Sequence, residues 1–230
     1  MIKLFKNIRK SFLNEGKTSK YFKYAIGEII LVVIGILIAL QINNWNENRL
    51  EKVEANNYLK QIKTELVLDV ANFKKDIDNI KSYTEYLDKV SQRKYDEVDL
   101  SMLLMSLSRN LEPGNCGISF NKMLESGSIE YIETSEISEK LQAYYLIHCA
   151  KYNNITAFHS KFISENIEGP LLLILDHKKD FRVDSKDVIE QLENGKLKSM
   201  VNWQISYLSH YIPEINKNIQ LAEELIHLIN

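Results

Sequence analysis

An unbroken apolar run near the start of the chain constrains the fold more than any other feature. Residues 25–42 contain no lysine or arginine and a single acidic residue, Glu28. As an α-helix this run spans about 27 Å, close to the ~30 Å hydrocarbon core of a bilayer. Apolar side chains cover every face of that helix from Ile29 to Ile38, which suits lipid better than one-sided packing in a soluble core. We therefore predict a transmembrane helix at residues 24–44.

Three other interpretations of this run fit the residues less well. A cleavable signal peptide needs small residues at A-x-A spacing after the run, which instead ends in Leu-Gln-Ile-Asn-Asn-Trp. A lipoprotein anchor needs a cysteine there, and the only cysteines are Cys116 and Cys149. A buried core helix would carry a polar stripe. We therefore expect a membrane anchor that is not cleaved, with the lipid bilayer as a partner of the chain.

Charge is distributed unevenly on either side of the predicted anchor. Residues 1–23 carry a balance of +6, and the rest of the chain carries −8, although the whole chain has a net charge of −2. Basic residues beside a membrane helix stay on the cytoplasmic side, so residues 1–23 are predicted to form a basic cytoplasmic leader. Residues 45–230 then lie outside the cell membrane. Their acidic balance repels phosphate, which argues against a nucleic-acid partner.

Aromatic and basic residues frame the predicted span. Tyr24 and Trp45 stand where the two interfacial aromatic belts of a membrane helix are expected, so we interpret them as interface anchors. Residues 1–14 space apolar side chains at helical intervals with basic residues between them. That pattern is typical of a helix lying on anionic lipid, and a solvated basic leader explains it equally well.

Small residues mark one face of the predicted anchor. Gly27, Leu31, Gly35 and Ala39 recur every four residues, and small residues allow two membrane helices to approach closely. Glu28 lies beside this face, and an acid in a membrane segment needs a partner, water or the headgroups. Its position one turn from Tyr24 favours the headgroup level. We predict that these five residues form a membrane-helix partner face.

The segment 24–47, with the sequence YAIGEIILVVIGILIALQINNWNE, resembles the signature of a bacterial family of single-pass membrane proteins. That family is classified only as a domain of unknown function. The segments 58–69, 120–132 and 141–145 are similar to the same family, so the resemblance covers most of residues 1–145. It implies membership and a single-pass topology. We expect the protein to lie in the bacterial cytoplasmic (inner) membrane. It implies no activity and no catalytic residues.

The rest of the chain is predicted to be helical, because the 230 residues include only 8 glycines and 3 prolines. Neither residue type occurs between Gly35 and Pro113, so the membrane helix has no strong break signal. One apolar stripe continues at helical spacing through Leu59, Ile62, Leu66, Val70, Phe73, Ile77, Ile80, Leu87 and Val90. Either later helices of the same chain or another copy must cover this stripe, and the matching later stripes favour the same chain. The predicted fold class is therefore all-α, with the transmembrane helix continuing into an irregular extracytoplasmic bundle.

Capping and breaking residues divide this bundle into helices. We predict short helices at 99–110 and 119–126, and a long helix from Ser135 to about Ile167 that Gly169-Pro170 stops. A last long helix is expected at 196–229, with a possible bend at Pro213. The apolar run 171–175 fits either a strand or a buried helical turn.

The two cysteines, Cys116 and Cys149, lie in the part of the chain predicted to face an oxidising compartment. A disulfide between them is the economical arrangement there, and an ordinary buried thiol at Cys149 is the alternative.

Signals for chemistry are sparse. The sequence has no glycine-rich phosphate loop and no H-E-x-x-H, G-x-S-x-G or C-x-x-C motif. His148 and His159 are eleven residues apart on one predicted helix, a rise of ~16 Å that is too long for shared ligation of one ion. The acidic residues of 125–139 are expected to form a solvated face. We predict no enzymatic activity, no cofactor and no metal site.

Two classes of function fit this pattern. The first is a non-enzymatic, membrane-anchored interaction or scaffolding module that binds another envelope protein or a second copy of itself. The alternative is an extracytoplasmic ligand-sensing domain. Because only 23 residues would lie inside the cell, such a domain would have to act through a partner membrane protein. We expect the first class, a membrane-anchored interaction or scaffolding module.

Overall fold

The computed structural model describes residues 18–111, 113–114, 116–176, 178–180 and 182–229, with side chains from residue 22 onward. The predicted leader helix at residues 1–14 lies outside this set. The described residues are all-helical and include no strand, as the scarcity of glycine and proline predicts. The chain forms two compact units, Met1–Glu54 and Ala55–Asn230.

The first helix, α1, extends over Thr18–Ser91 and contains both the apolar run and the stripe that follows it. From Phe22 onward it is the one described helix long and apolar enough to cross a membrane. None of the residues in its most apolar window is buried, which distinguishes that window from a soluble core helix. The second unit begins at Ala55, which is the first buried residue among those described in α1.

The C-terminus of α1 follows a Schellman pattern. Arg93 adopts a left-handed conformation with φ 65°, and the amide of Lys94 donates to the carbonyl of Lys89 at 2.9 Å. The amide of Arg93 donates to the carbonyl of Val90 at 3.1 Å, which satisfies a second orphan acceptor. The helix therefore ends at Ser91, although no glycine marks the end.

Within the described part of the chain, seven further α-helices follow α1. In chain order α2 to α8 are Leu103–Leu107, Ile118–Ser126, Ser135–Gln142, Ala150–Phe162, Gly169–Ile174, Ser185–Asn194 and Leu197–Leu228. Short 3-10 turns occur at Tyr95–Glu97, Leu100–Met102 and Ser128–Tyr131, and π-helical segments at Ala143–Cys149 and Ile163–Glu168. Three long helical stretches and several short ones were expected, and this is the arrangement found.

Side-chain and glycine caps set two of the predicted boundaries. The carboxylate of Asp99 accepts the amide of Ser101 at 3.0 Å, and helical structure begins at Leu100. Helix α3 ends at Gly127, whose φ of 76° is the left-handed conformation typical of a helix C-terminus. The predicted starts and ends at Asp99 and Gly127 are confirmed.

The predicted stop at Gly169-Pro170 is wrong. Helical structure continues from Ser135 through two π-helical segments to Ile174. Pro170 is the second residue of α6, which directly follows the second π-helical segment. The preceding π-helical turn lets the Gly169 amide donate to Ser164. The ambiguous run 171–175 is thus a helical turn that buries Leu171 and Leu175, not a strand.

Helix α7 was not predicted. It lies in a stretch that is polar overall, and only Val188 and Leu192 of this helix are buried. Its start signal was nevertheless present, because the side chain of Asp184 accepts the amide of Lys186 at 2.9 Å. Two buried apolar positions at i and i+4 were too few to show a helical period against the charged background.

Two apolar clusters form the core of the second unit, and both begin on α1. All nine predicted stripe residues are buried. Residues of α3, α4 and α8, together with the two π-helical segments and α7, cover the stripe. The cover comes from the same chain, so the intramolecular bundle is confirmed for the described residues.

The structure joins Cys116 and Cys149 by a disulfide with a Cα–Cα distance of 6.0 Å. The bond links the loop before α3 to the end of the first π-helical segment. Asn153 holds the same loop, because its Oδ1 accepts the Gly114 amide at 2.9 Å and its Nδ2 donates to the Gly114 carbonyl at 3.3 Å. Nδ2 of Asn153 also donates to Sγ of Cys116 at 3.2 Å, so among the described residues one covalent bond and three Asn153 hydrogen bonds fix this loop.

We predict that Cys116 and Cys149 do not react with a thiol reagent after denaturation without reductant, and that both react after reduction. Closing a 33-residue separation stabilises a fold by about 3–4 kcal/mol on loop-entropy grounds. A Cys116→Ser/Cys149→Ser double variant should lose that amount in urea unfolding. Complete labelling without reductant would contradict the disulfide.

Gly117 and Gly127 provide a matched test of packing beside the disulfide. Both have positive φ, but a Cβ at Gly117 would lie 2.7 Å from a ring carbon of Tyr145, whereas one at Gly127 would meet nothing within 4 Å. We expect Gly127→Ala to cost about 1–2 kcal/mol of backbone strain, and Gly117→Ala an additional 1–3 kcal/mol of overpacking. Equal losses in urea unfolding would refute the crowding by Tyr145.

Candidate functional site

The predicted membrane residues lie on the first part of α1. Tyr24 and Trp45 are 54% and 66% exposed. In the predicted partner face, a Cβ added at Gly27 or Gly35 would meet no atom within 4 Å, so this surface is open. The remaining members of that face are Glu28, Leu31 and Ala39. Interface anchoring and helix association at these residues stay predictions.

The structure places the two histidines considered from the sequence, His148 and His159, on one helical stretch. His159 is fully buried, stacks on Tyr207 at 4.3 Å and has its Nε2 3.1 Å from Oε1 of Gln204. Burial lowers the pKa of His159, and the Gln204 hydrogen bond opposes that shift in part. His148 is half-buried near the start of the same helical stretch. No group of three or more potential metal ligands occurs among the described residues.

A polar cavity of about 560 Å³ lies between α1 and the loop that follows α2. Sequence analysis did not predict it. We call it the polar cavity. Its lining consists of Asp69, Asn72, Phe73, Lys75, Asp76, Asn79 and Tyr83 from α1, Arg109, Asn110, Leu111, Pro113 and Gly114 from the loop, and Tyr152 from α5.

The inner wall of the polar cavity is aromatic and ends in a buried hydroxyl. Phe73 and Tyr152 pack edge to face with ring centroids 5.2 Å apart. Tyr152 is fully buried, and its hydroxyl faces Asp76 but forms no hydrogen bond of normal length within the described part of the chain. Burial, reinforced by the Asp76 carboxylate, raises the pKa of Tyr152. The Tyr152 hydroxyl and the Asp76 carboxylate therefore interact within the wall of the polar cavity.

Asp69 occupies one end of the polar cavity in an unfavourable environment. Burial raises the pKa of its carboxyl from 3.8 to about 6. The Tyr144 hydroxyl donates to Asp69 at 3.4 Å and lowers this pKa in part. Repulsion by the nearby Glu65 carboxylate raises it. Glu65 is itself bound by Ser119, whose hydroxyl donates to it at 2.6 Å. No ion pair to Asp69 is formed by the residues described. A shifted carboxyl in a cleft is a recognised mark of a functional site.

Two exposed cations, Lys75 and Arg109, line the polar cavity. The guanidinium carbon of Arg109 is 5.3 Å from the ring centroid of Tyr83, a cation–π contact. Arg109 and Lys75 are exposed, and neither forms an ion pair with another described residue. The lining of the polar cavity thus combines half-buried carboxylates with exposed cations.

Part of this site is visible in the sequence once its position is known. Asp69, Asn72, Asp76, Asn79 and Tyr83 follow one another at steps of three or four, so they share one face of α1 beside the buried stripe. Such a polar stripe normally faces solvent. The loop and α5 are distant in sequence, and their approach to this face is a property of the tertiary structure alone.

An apolar groove of about 470 Å³ forms a second surface feature. Its apolar lining residues are Leu146, Ile147, Ala150, Ile155, Phe158 and Tyr207. Leu146, Ile147 and Phe158 are 54%, 61% and 62% exposed. Clustered exposure of large apolar side chains marks interaction surfaces in soluble domains. We call this feature the apolar groove.

The environment of Asp69 predicts a pH-dependent stability difference. Its pKa is higher in the folded chain than in the unfolded chain, so the fold loses stability as the pH rises from about 4 to 6. Asp69→Asn keeps an acceptor for Tyr144 and removes the charge. We expect this variant to be more stable than the wild type by about 1 kcal/mol at pH 8, after discounting for partial exposure, and by little at pH 4.

Urea unfolding at both pH values measures this difference. Asp78→Asn is the matched control, because Asp78 lies on the exposed side of α1, and it should change stability little at either pH. A gain for Asp69→Asn that is the same at pH 4 and pH 8 would contradict the assignment.

Comparison with known proteins places the chain in one family. No curated protein and no solved structure shows significant similarity to it. The profile of a family of unknown function, DUF6090, matches residues 28–206, which is more than half of the chain. The match includes most of the apolar run, the polar cavity and the apolar groove except Tyr207. On this basis the chain belongs to the family of unknown function DUF6090.

Proposed function

We propose that this protein is a non-enzymatic, single-pass protein of the bacterial inner membrane whose helical body binds another envelope protein or a second copy of itself. The N-terminus is cytoplasmic and the body is extracytoplasmic. The unburied apolar window of α1 supports the membrane span. The basic leader and the acidic remainder of the chain support the orientation.

The apolar groove is the observation that carries the interaction role. Its three most exposed residues, Leu146, Ile147 and Phe158, keep large apolar areas in contact with water, which costs free energy in an isolated body. A protein partner that covers them removes this cost. Lys151 at the edge of the groove is paired with Glu214, so the groove has the apolar centre and polar rim of protein interfaces.

The open small-residue face of α1 supports a second contact within the membrane. Gly27 and Gly35 leave room for a neighbouring helix, and close approach of small residues stabilises helix pairs in lipid. The predicted partner face and the apolar groove would then bind through different units of the same chain.

Photo-crosslinking in native membranes tests the interaction role. A photoreactive amino acid in place of Ile147 should give one dominant cross-linked product, whose mass shows a second copy or a different envelope protein. Adding Phe158→Ser should reduce its yield severalfold, because truncating one apolar anchor weakens an interface by 1 kcal/mol or more. The same photoreactive residue in place of Lys122, exposed on α3 outside the groove, is the control.

Two results would contradict this function. One is the absence of any product from Ile147. The other is a set of products that the Phe158→Ser substitution leaves unchanged, or that the Lys122 position gives in equal yield.

A second candidate function is ligand sensing by the body, and the polar cavity favours it. Its volume of about 560 Å³ lies in the range of small-molecule sites, and it combines an aromatic wall with converging polar groups. In this role, a signal would pass through a partner membrane protein.

A further inference from the structure

We propose that two copies of the chain pair side by side through the apolar groove, with their α5 helices parallel and Asn154 of one copy against Asn154 of the other. This inference rests on the proposed interaction role and names its partner as a second copy. It is drawn from the helical face that carries the groove, from the direction of α5 and from the charges around it.

The apolar groove lies on the side of α5 that faces away from the core. One line of side chains in this stretch is buried at steps of three or four, namely Cys149, Tyr152, Thr156, His159 and Ile163. On the opposite side, Ile147, Asn154 and Lys161 follow one another at steps of seven, and all three are exposed. A line of residues that repeats every seven positions is the contact line of a two-stranded coiled coil.

Asn154 has the properties of a residue that pairs with its own copy. It lines the groove between Ala150 and Phe158, it is exposed, and its side chain forms no hydrogen bond with the residues described. An amide side chain offers a donor and an acceptor, so two copies of it can satisfy each other across a two-fold axis. In parallel coiled coils, one asparagine on the contact line specifies the register and the oligomeric state.

The direction of α5 fits two copies that share one membrane. Before α5, the Tyr144 hydroxyl donates to Asp69 at 3.4 Å, and just after α5, Ile163 belongs to the same apolar cluster as Leu87. The stretch that contains α5 therefore runs in the same direction as α1. Because α1 also carries the proposed membrane span, copies inserted in the same way present parallel α5 helices, and a two-fold axis between them brings identical residues together.

The charges around the groove allow two acidic chains to meet there. The chain after the leader carries a balance of −8, yet residues 141–164 contain no aspartate or glutamate. The two lysines of this stretch are paired, Lys151 with Glu214 at 2.6 Å and Lys161 with Glu165 at 3.8 Å. Two identical faces can therefore approach without unpaired like charges between them, which favours a second copy over a strongly charged partner.

The groove is small for an interface, and anchoring in one membrane compensates for its size. Leu146, Ile147 and Phe158 are each more than half exposed, which gives roughly 400 Å² of apolar surface per copy, below the ~800 Å² per partner of a standard interface. Two chains confined to one bilayer meet at a high effective concentration, so a weaker contact is sufficient for pairing.

Disulfide cross-linking of the full-length protein in its own membranes tests the pairing. On mild oxidation, Asn154→Cys should give a dimer of two identical chains, because the two Cβ atoms would approach the ~3.5–4.5 Å that a disulfide requires. Lys122→Cys, exposed on α3 outside the groove, is the matched control and should give at least about tenfold less dimer. A yield for Asn154→Cys no higher than that of the control would overturn the proposal.

A membrane that contains two differently tagged variants, Leu146→Cys and Phe158→Cys, tests the direction of the helices. In a parallel pair these positions stay about 18 Å apart along the helix, so dimers of like chains should outnumber mixed dimers. An antiparallel pair would bring the two positions together. An excess of mixed dimers would contradict the parallel arrangement.

Substitution of Asn154 tests whether the pair is specific. With the photoreactive amino acid in place of Ile147, Asn154→Lys should lower the yield of the two-copy product at least about fivefold, because it sets like charges against each other at the axis. Asn154→Gln keeps an amide and should retain most of the yield. Equal yields from Asn154→Lys and Asn154→Gln would contradict a pair centred on this residue.

The mass of the Ile147 product distinguishes failure of this inference from failure of the interaction role. A product that contains a different envelope protein, together with no dimer from Asn154→Cys, would overturn self-pairing and leave the interaction role in place. No product from Ile147 and no dimer from Asn154→Cys would overturn both.

Discussion

Burial of one apolar stripe on α1 is the constraint on which the rest of the body depends. Both apolar clusters of the second unit begin on this helix, one between Ala55 and Ile80 and one at Leu87 and Val90. An apolar stripe of that length is stable in water only when other helices cover it. The later helices of the chain, from α2 to α8, provide this cover, and their own apolar faces are buried in return. The disulfide and the Asn153 hydrogen bonds then fix the loop that approaches the polar flank of α1.

The polar flank of α1 is packed less favourably than the buried stripe beside it. Next to a stripe of fully buried side chains, Asp69 retains a carboxyl group whose ionisation destabilises the fold, and Tyr152 retains a buried hydroxyl without a normal hydrogen bond. Apolar residues of similar volume would close the polar cavity at lower cost. The apolar groove has the opposite character, since Phe158 and its neighbours expose area that a stable body would prefer to bury. Neither the polar cavity nor the apolar groove contributes evidently to stability, and for this reason each supports a binding role.

The helical boundaries illustrate how local signals succeed and fail. Asp99 and Gly127 act within one turn of the backbone, so their effects follow from residue type and position alone. Pro170 carries an equally strong local signal, yet its effect depends on the π-helical turn before it, and such turns have no reliable sequence pattern. Helix α7 has a good cap at Asp184 but too few apolar residues to show a period. Its helical state is set by tertiary contacts of its two buried residues.

The sequence by itself determined the apolar run, the charge difference between the leader and the remainder, the all-helical class and the buried stripe of α1. These properties depend on composition and on helical period, which act over a few turns of one helix. Tertiary structure alone decided the polar cavity and the apolar groove, because each brings together residues from segments far apart in the chain. Arg109 reaches Tyr83, and Tyr152 reaches Phe73, only after the loop and α5 have packed against α1. A helical period specifies which face of a helix is buried, whereas the partner on that face depends on how the whole chain folds.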